Sequence, residues 1–178
     1  MRVIISAGGT GGHIYPALAI INKIKEKNKN VEILYIGTTD RMEKDIIPNS
    51  GIEYRGIKIK GFYRKLTFKN FTVLKYFLNA IKESRRIIKE FKPDIVIGVG
   101  GYVTAPVIYA AKKLGIKTLI HEQNSTLGMT NRFLVKYSDV IAVSFKSSLD
   151  YIDGNKKKVF TGNPCSEDAI SKEVFDKS

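Results

Sequence analysis

Short apolar runs and amphipathic segments alternate along most of the chain. Apolar runs bounded by glycine, proline or polar residues are typical of buried strands, whereas apolar residues spaced three and four apart indicate helices. The pattern predicts strands at residues 3–5, 31–36, 52–59, 94–98, 117–121, 140–143 and 158–162. It predicts helices at residues 14–28, 40–47, 72–91, 103–114, 129–137 and 144–151.

Proline and glycine mark several of the predicted helix ends. Pro93 and Gly115 follow predicted helices and are expected to stop them. Pro16 is expected in the first turn of the first helix, where its missing N–H costs nothing. Because strands alternate with helices, we expect one α/β domain with a Rossmann-like, doubly wound and mostly parallel sheet.

Glycine-rich or polar segments follow three of the predicted strands. The first is Gly8–His13, between the first strand and the first helix. The second is Gly98–Tyr102, and the third is the tetrad His121–Asn124. Ligands of doubly wound sheets bind beyond the carboxyl ends of the strands, so we expect these three segments to line one crevice.

The first segment has the properties of a phosphate or diphosphate site. Its glycines let the backbone approach a ligand closely, and the following helix adds about half a positive charge at its amino terminus. It is not the dinucleotide fingerprint, because Ile14 stands where the last glycine is needed, and no Lys-Ser or Lys-Thr pair completes a Walker loop. A tight turn without a ligand is the alternative.

Composition narrows the class of protein. The chain has 178 residues, one cysteine and two histidines. The single Cys165 excludes an internal disulfide and suits a reducing compartment. The three possible zinc ligands, His13, His121 and Cys165, are too few and too scattered for a structural zinc site. We expect no signal peptide, and no window of about 18 apolar residues predicts a membrane span.

Positive charge is concentrated in the middle of the chain. The formal net charge is +13, and residues 58–92 hold eleven basic residues but only two acidic ones. This excess favours an anionic partner such as a phosphorylated substrate or an anionic membrane surface. We expect no nucleic-acid partner, because the chain has no recognised nucleic-acid-binding motif. A lysine-rich solvated surface is the alternative.

Four motifs together resemble one family. They are Gly-Gly-Thr-Gly-Gly-His at 8–13, Gly-Gly-Tyr-Val-Thr-Ala-Pro at 100–106, His-Glu-Gln-Asn at 121–124 and Gly-Asn-Pro at 162–164. Their order and spacing are similar to those of MurG-type transferases, although only the amino-terminal half of such an enzyme is covered. The resemblance implies the amino-terminal domain of a GT-B glycosyltransferase at residues 1–162, followed by an interdomain hinge and tail at 163–178.

The resemblance also implies an activity. Family members are hexosyltransferases that move N-acetylglucosamine, with inversion, from UDP-N-acetylglucosamine to the 4-hydroxyl of undecaprenyl-diphospho-muramoyl-pentapeptide. This step converts lipid I to lipid II in peptidoglycan synthesis, and the family uses neither a metal nor another cofactor. The chain would supply the acceptor-binding half and would have little or no turnover alone. The alternative is a non-catalytic, membrane-recruiting subunit of a split lipid-linked glycosyltransferase.

Several residues are candidates for chemistry under this resemblance. His13 is the first candidate for the base that accepts the hydroxyl proton, because imidazole exchanges protons near neutral pH. His121 and Glu122 are rivals, and Glu122 could instead orient an imidazole. A hydrogen-bonding role for His13 and a structural role for His121 are the alternatives.

Other residues are candidates for substrate binding. Positions that touch the donor sugar in the family are matched by Thr10, Gly11, Gly12 and Asn124. The acceptor and its diphosphate are expected to contact Gly9, Gly100, Gly101, Tyr102 and His121. Asn124 could instead be a turn or capping residue, and Tyr102 could simply pack against its loop.

An aromatic and basic segment suggests where the protein works. A peripheral anchor on an anionic membrane is expected from Phe62, Arg64, Lys65, Phe68, Lys69 and Phe71. A lipid-linked acceptor implies the cytoplasmic face of the bacterial cell membrane. One position departs from the family: Ser166 stands where an arginine near the donor is usual, which weakens the expectation of donor binding.

Overall fold

A single parallel sheet organises the molecule. The computed structural model describes residues 1–61 and 69–166, with the side chains of 69–71 left out. In these ranges the strands are β1 (Arg2–Ala7), β2 (Glu32–Thr38), β3 (Glu53–Ile57), β4 (Ile95–Gly100), β5 (Lys117–Glu122), β6 (Val140–Val143) and β7 (Lys157–Phe160). All neighbours pair in parallel in the order β3-β2-β1-β4-β5-β6-β7.

Helices connect the strands and cover both faces of the sheet. They are α1 (Gly11–Lys27), α2 (Glu43–Asn49), α3 (Lys69–Phe91), α4 (Thr104–Lys113) and α5 (Met129–Leu134), with short 3-10 helices at Val135–Tyr137 and Lys146–Tyr151. The predicted Rossmann-like, doubly wound α/β fold is therefore confirmed. Because every pairing is parallel, each return passes through a crossover connection.

Two apolar cores lie on opposite faces of the sheet. Val3 and Ile5 of β1 pack with residues of α1, while Ile4 between them packs with residues of α3 and α4. Successive side chains of a strand point to opposite faces, so a strand covered on both sides is apolar throughout. This explains the continuous apolar run of β1, in which all three side chains are fully buried.

The first helix begins earlier than the sequence pattern predicts. It starts at Gly11 rather than Ile14, so Pro16 lies in its second turn and not its first. Thr10 is the extended N-cap residue, and its carbonyl accepts hydrogen bonds from the backbone N–H groups of His13 and Ile14. The prediction failed because apolar periodicity cannot report a helical turn that is made largely of glycine.

The second helix begins later than predicted. It spans Glu43–Asn49, with Pro48 inside it, whereas the predicted helix covers residues 40–47. Its first residue, Glu43, is fully buried although it is charged. Residues 39–42 instead form a turn after β2, in which the Arg41 N–H donates to the Thr38 hydroxyl (3.1 Å).

The order of the strands sets the position of the candidate site. From β1 the chain adds β2 and β3 on one side of the sheet, and it then adds β4 to β7 on the other side. The β1–β4 pair is therefore the switch point of the sheet. Crevices for ligands in doubly wound sheets lie beyond the carboxyl ends of the strands at this point. The first glycine-rich segment follows β1, and the second, Gly98–Tyr102, begins within β4 and continues past its end, so the topology brings both of them to the switch point.

Candidate functional site

The two glycine segments pack backbone against backbone. The Gly8 N–H donates to the Gly100 carbonyl (3.2 Å). Gly100 and Gly101 have φ of +117° and +86°, and a Cβ at Gly101 would lie 2.2 Å from the Gly8 carbonyl oxygen. Only glycine permits this approach, because a side chain would both strain the backbone and collide with the other loop.

In the first glycine segment, Gly8–His13, which is called the first loop below, some backbone N–H groups bond to the protein and others have no partner in it. The N–H of Gly9 donates inward to the buried carboxylate of Glu43 (3.2 Å). Within residues 1–61 and 69–166, the N–H groups of Thr10, Gly11 and Gly12 have no acceptor, as is usual at a helix amino terminus. The free donors therefore lie at 10–12, and Gly9 does not present its N–H to a ligand in this structure.

His13 faces the junction of the two loops. Its Nδ1 lies 3.2 Å from the Gly8 carbonyl oxygen and 3.3 Å from Thr10 Oγ1. A carbonyl can only accept, so Nδ1 carries the proton in the neutral ring and Nε2 carries the lone pair. The ring packs against Gly100, where an added Cβ would lie 2.8 Å from Nε2. No described residue forms a hydrogen bond with Nε2.

Tyr102 forms one wall of the crevice. Its ring lies beside Gly9 and Gly61, where added Cβ atoms would approach it to 3.9 and 3.6 Å. The Nε–H of Arg41 donates to its hydroxyl (3.3 Å), and this hydrogen bond raises the pKa of the exposed Arg41 guanidinium. The remaining guanidinium N–H groups of Arg41 have no partner in the described parts of the chain, so a cation stands at the rim of the site.

His121 is buried and fully hydrogen-bonded. The amide nitrogen of Gln123 lies 2.9 Å from both its Nδ1 and the Val99 carbonyl oxygen. The amide nitrogen donates, so Nδ1 is unprotonated, and the proton on Nε2 points to Thr161 Oγ1 (3.3 Å). Burial lowers the pKa of His121, against opposing contributions from the Gly162 backbone and Glu122.

Glu122 organises the third loop from inside. It is 2 % exposed, and its Oε1 accepts from the backbone and side-chain nitrogens of Asn124 (3.0 and 2.8 Å). Its Oε2 accepts from the Gly128 N–H (2.9 Å) and from Asn131 Nδ2 (2.8 Å). Four donors from the described part of the chain satisfy the carboxylate, and two of them hold the exposed Asn124 at the mouth of the loop.

The structure brings most predicted site residues to one edge of the sheet. Loops one and two are in direct contact, and Gln123 connects the third loop to the end of β4 through the Val99 carbonyl. His121 and Glu122, in contrast, lie beneath the surface of the third loop. The chemical roles assigned to all of these residues stay predictions.

Sequence reasoning missed Glu43 and Arg41. Neither belongs to a recognised motif, and both fall in the short predicted helix at 40–47, to which the sequence assigns no functional role. The available signal was the pair Gly37-Thr38 at the end of β2, since a polar residue after an apolar strand marks the ligand-binding edge of the sheet.

The predicted membrane-binding side chains lie outside the described part of the chain. They are Phe62, Arg64, Lys65, Phe68, Lys69 and Phe71. No helix among the described residues is long and apolar enough to span a membrane. The same residues contain no cluster of three or more His, Cys, Asp or Glu side chains that could hold a metal ion.

Fold and site together define a class: a Rossmann-like α/β domain with two glycine loops at its switch point, one opening onto unpaired helix N–H groups. The family model described as Glycosyltransferase family 28 N-terminal domain matches residues 3–143. The chain therefore belongs to this family. The MurG resemblance drawn from the four motifs is confirmed by the relatives described next.

Two curated relatives have the same name, UDP-N-acetylglucosamine–N-acetylmuramyl-(pentapeptide) pyrophosphoryl-undecaprenol N-acetylglucosamine transferase. The Bacillus licheniformis protein is 52% identical and the Bacillus subtilis protein 50% identical, each over 171 residues and 96% of this chain. These alignments cover 46% and 47% of the two relatives. The chain thus spans about half the length of the curated relatives it matches.

Solved structures support the same fold. Acinetobacter baumannii MurG superposes with a TM-score of 0.76 at 33% identity, over 90% of this chain and 46% of that one. UDP-GlcNAc 2-epimerase from Neisseria meningitidis superposes with a TM-score of 0.68 at 14% identity, over 99% of this chain and 50% of that one. The second likeness concerns the fold alone.

Proposed function

We propose that this chain is the acceptor-binding half of a hexosyltransferase of peptidoglycan synthesis. The reaction is inverting transfer of N-acetylglucosamine from UDP-N-acetylglucosamine to the 4-hydroxyl of undecaprenyl-diphospho-muramoyl-pentapeptide. The names of the two Bacillus relatives support the donor, the lipid-linked acceptor and the transferred sugar. Because the chain matches only half of each relative, transfer requires a second domain that completes the cleft.

One observation carries this proposal: a proton acceptor lies beside free anion-binding groups. The Nε2 of His13 and the N–H groups of Gly11 and Gly12, which have no hydrogen-bond partner among the described residues, belong to the same helix turn. N–H groups at a helix amino terminus bind phosphate oxygens. Such a turn can therefore hold a diphosphate while the imidazole accepts a proton from an adjacent hydroxyl.

His13 is the best of the three candidate bases. In His121 both ring nitrogens are engaged, and in Glu122 both carboxylate oxygens accept two donors each. A base needs an acceptor atom that is not already hydrogen-bonded to the protein and that substrate can reach. Of the three candidates, only His13 has such an atom among the described residues, its Nε2. We assign His121 and Glu122 to positioning the third loop, including its candidate donor-sugar contact, Asn124.

The remaining contacts follow from the geometry of the crevice. Thr10, Gly11 and Gly12 supply the exposed N–H edge, and Tyr102 covers the acceptor sugar with Arg41 beside it as a cation for the diphosphate. Gly100 and Gly101 serve the site by close packing against His13 and Gly8, whereas Gly9 serves it through a left-handed turn whose N–H is held by Glu43.

Membrane docking is proposed to use the face that begins at the aromatic, basic segment 62–71. Gly61, which leads into that segment, lies beside Tyr102. Along α3, Leu74 and Leu78 are 46 % and 57 % exposed and lie one turn apart, with exposed Lys82 and Arg85 on the same side. Each basic residue near an anionic leaflet contributes about 1 kcal/mol. We therefore propose a peripheral position for the protein, on the cytoplasmic face of the membrane.

Equilibrium binding to vesicles tests the proposal. Residues 1–178 would be titrated with phosphatidylglycerol vesicles, with and without undecaprenyl-diphospho-muramoyl-pentapeptide. We expect the acceptor to tighten binding, and the double variant Gly11→Ala/His13→Ala to lose that increment. Gly154→Ala at an exposed position is the matched control, since no described residue other than its chain neighbours lies within 4 Å of the added Cβ.

Two other results would contradict the proposal. Binding that follows lipid charge alone, with no response to acceptor or to the double variant, would favour a membrane-recruiting subunit. Robust transfer by residues 1–178 without a second domain would refute the claim that the chain is half of the catalytic cleft.

A further inference from the structure

Glu43 is a buried carboxylate directly beneath the first glycine loop. Its side chain is fully buried, and its Oε1 accepts from the backbone N–H and the hydroxyl of Thr38 (3.1 and 2.7 Å). Its Oε2 accepts from the N–H of Gly9 (3.2 Å). A carboxylate that accepts three hydrogen bonds, and forms no ion pair with the described residues, is a strong fixing point for the backbone groups around it.

Two glycines make room for this carboxylate. A Cβ at Gly8 would lie 2.2 Å from Glu43 Oε1, and a Cβ at Gly37 would lie 2.7 Å from Glu43 Cγ. Glu43 therefore occupies the space between the ends of β1 and β2, where any other residue at either glycine would displace it. The absence of side chains at Gly8 and Gly37 thus provides the space that the Glu43 side chain fills.

The same cluster extends to the wall of the crevice. The Thr38 hydroxyl, which donates to Glu43, accepts the N–H of Arg41 (3.1 Å). Arg41 in turn donates through Nε to the hydroxyl of Tyr102 (3.3 Å). The carboxylate is thus connected to the first loop directly and to the second loop through Thr38, Arg41 and Tyr102.

We propose that Glu43 is a positioning residue for the acceptor site, which holds the first loop so that its free N–H groups and His13 face the ligand. The inference rests on the proposed function. By engaging the Gly9 N–H from below, the carboxylate fixes the left-handed turn at Gly9, where φ is +91°. The N–H groups that follow, at Thr10 to Gly12, are thereby directed into the crevice.

An electrostatic role and a positioning role for Glu43 predict opposite changes in the affinity for the acceptor. A negative charge beneath a diphosphate site repels the ligand, so its removal should tighten binding if charge alone mattered. Removal should weaken binding if the carboxylate acts by ordering the loop. The sign of the change in affinity therefore separates a positioning role from a purely electrostatic one.

The test compares Glu43→Gln with Tyr54→Phe. In Glu43→Gln, Oε1 can keep its two Thr38 donors, but the amide nitrogen then opposes the Gly9 N–H. Tyr54→Phe removes another hydrogen bond of the same cluster, from the Tyr54 hydroxyl to the Thr38 carbonyl (2.5 Å), and leaves Gly9 and Glu43 untouched. If Glu43→Gln does not fold, Glu43→Asp keeps the charge and shortens the reach to Gly9.

Two measurements are made on each variant: hydrogen exchange of the Gly9 amide, and affinity for acceptor-bearing vesicles. We expect the Gly9 amide to be protected in the wild type and in Tyr54→Phe, and to exchange faster in Glu43→Gln. We expect acceptor affinity to fall roughly tenfold in Glu43→Gln or Glu43→Asp, corresponding to the loss of one charge-assisted hydrogen bond. Tyr54→Phe should lose stability without losing affinity.

Other outcomes overturn the proposal in distinguishable ways. Unchanged or tighter acceptor binding in Glu43→Gln, or equal losses in Glu43→Gln and Tyr54→Phe, would refute a positioning role. An unprotected Gly9 amide in the wild type would also refute it. A wild-type chain that ignores the acceptor while its Gly9 amide responds to Glu43→Gln would refute the proposed function and leave the Gly9–Glu43 tether standing.

Discussion

Replacing Gly101 with alanine is expected to separate the two glycine loops. The new Cβ would lie 2.2 Å from the Gly8 carbonyl oxygen and 3.0 Å from the Gly8 carbonyl carbon. These are backbone atoms that cannot rotate away, so the loops must move apart by about an ångström to reach ordinary van der Waals contact. The Gly8 N–H to Gly100 carbonyl hydrogen bond would be lost or lengthened with them.

The size of the effect follows from three contributions. A left-handed backbone costs a residue with a Cβ about 1–2 kcal/mol, overpacking costs about 1–3 kcal/mol, and a lost backbone hydrogen bond costs about 0.5–1.5 kcal/mol. We therefore expect Gly101→Ala to reduce the free energy of unfolding by about 3–5 kcal/mol. For a domain of this size the melting temperature should fall by roughly 10 °C.

Two other glycines separate the contributions. Gly115 has φ of +75° with nothing within 4 Å of an added Cβ, so Gly115→Ala reports backbone strain alone, about 1–2 kcal/mol. Gly154 has neither a positive φ nor a close neighbour, so Gly154→Ala should change stability by less than about 0.5 kcal/mol. Urea unfolding of the three variants and the wild type measures the series. Equal losses for Gly101→Ala and Gly115→Ala would refute close loop packing at the site.

Three further predictions concern buried or half-buried polar groups. Because burial lowers the pKa of His121, the imidazole binds a proton more readily in the unfolded chain than in the folded one. The contribution of the neutral ring to the free energy of unfolding should therefore be present in full above pH 6.5 and should decrease as the pH falls below 6.5. In melting curves, His121→Gln should reduce this loss of stability at low pH. Burial alone would raise the pKa of Asp139, but hydrogen bonds from Lys112 and Thr118 have the larger effect and lower it. Asp139→Asn should therefore lower the melting temperature near neutral pH, where the carboxylate is charged. At a pH well below 3.8 the same substitution should have little effect. In Glu122→Gln an amide NH₂ group would face one of the four donors that Glu122 now accepts. This substitution should reduce the free energy of unfolding in urea by about 1–3 kcal/mol. An unchanged urea midpoint would contradict the hydrogen-bond network around Glu122.

The fold could be predicted from the sequence because its signals are local. Buried parallel strands are apolar throughout, as in β1 and β4, and the intervening helices are long enough to show their periodicity. The two loops at the switch point could also be located, since glycine after an apolar strand has few other uses. The start of α1 could not, because its first turn is built from Gly11 and Gly12, which have no hydropathy signal.

The detailed geometry of the site depends on contacts that are distant in sequence. Gly9 meets Glu43 across 34 positions, and Arg41 meets Tyr102 across 61. The pair Gly37-Thr38 marks the nearby edge of the sheet, but it does not distinguish a buried carboxylate at Glu43 from one on a solvated helix. Nor could the sequence separate His13 from His121 as a base, because that choice depends on which ring nitrogen remains unpaired after folding.

The unpaired nitrogen of His13 is the central claim of this account, and one transfer assay tests it most directly. Residues 1–163 would be joined to the carboxyl-terminal half of the Bacillus licheniformis relative, and transfer of N-acetylglucosamine to the lipid-linked acceptor would be measured. His13→Gln is expected to reduce kcat by about 10²–10⁴-fold, the usual contribution of a general base, while His121→Gln changes it far less. Full turnover in His13→Gln together with loss in His121→Gln would contradict the assignment.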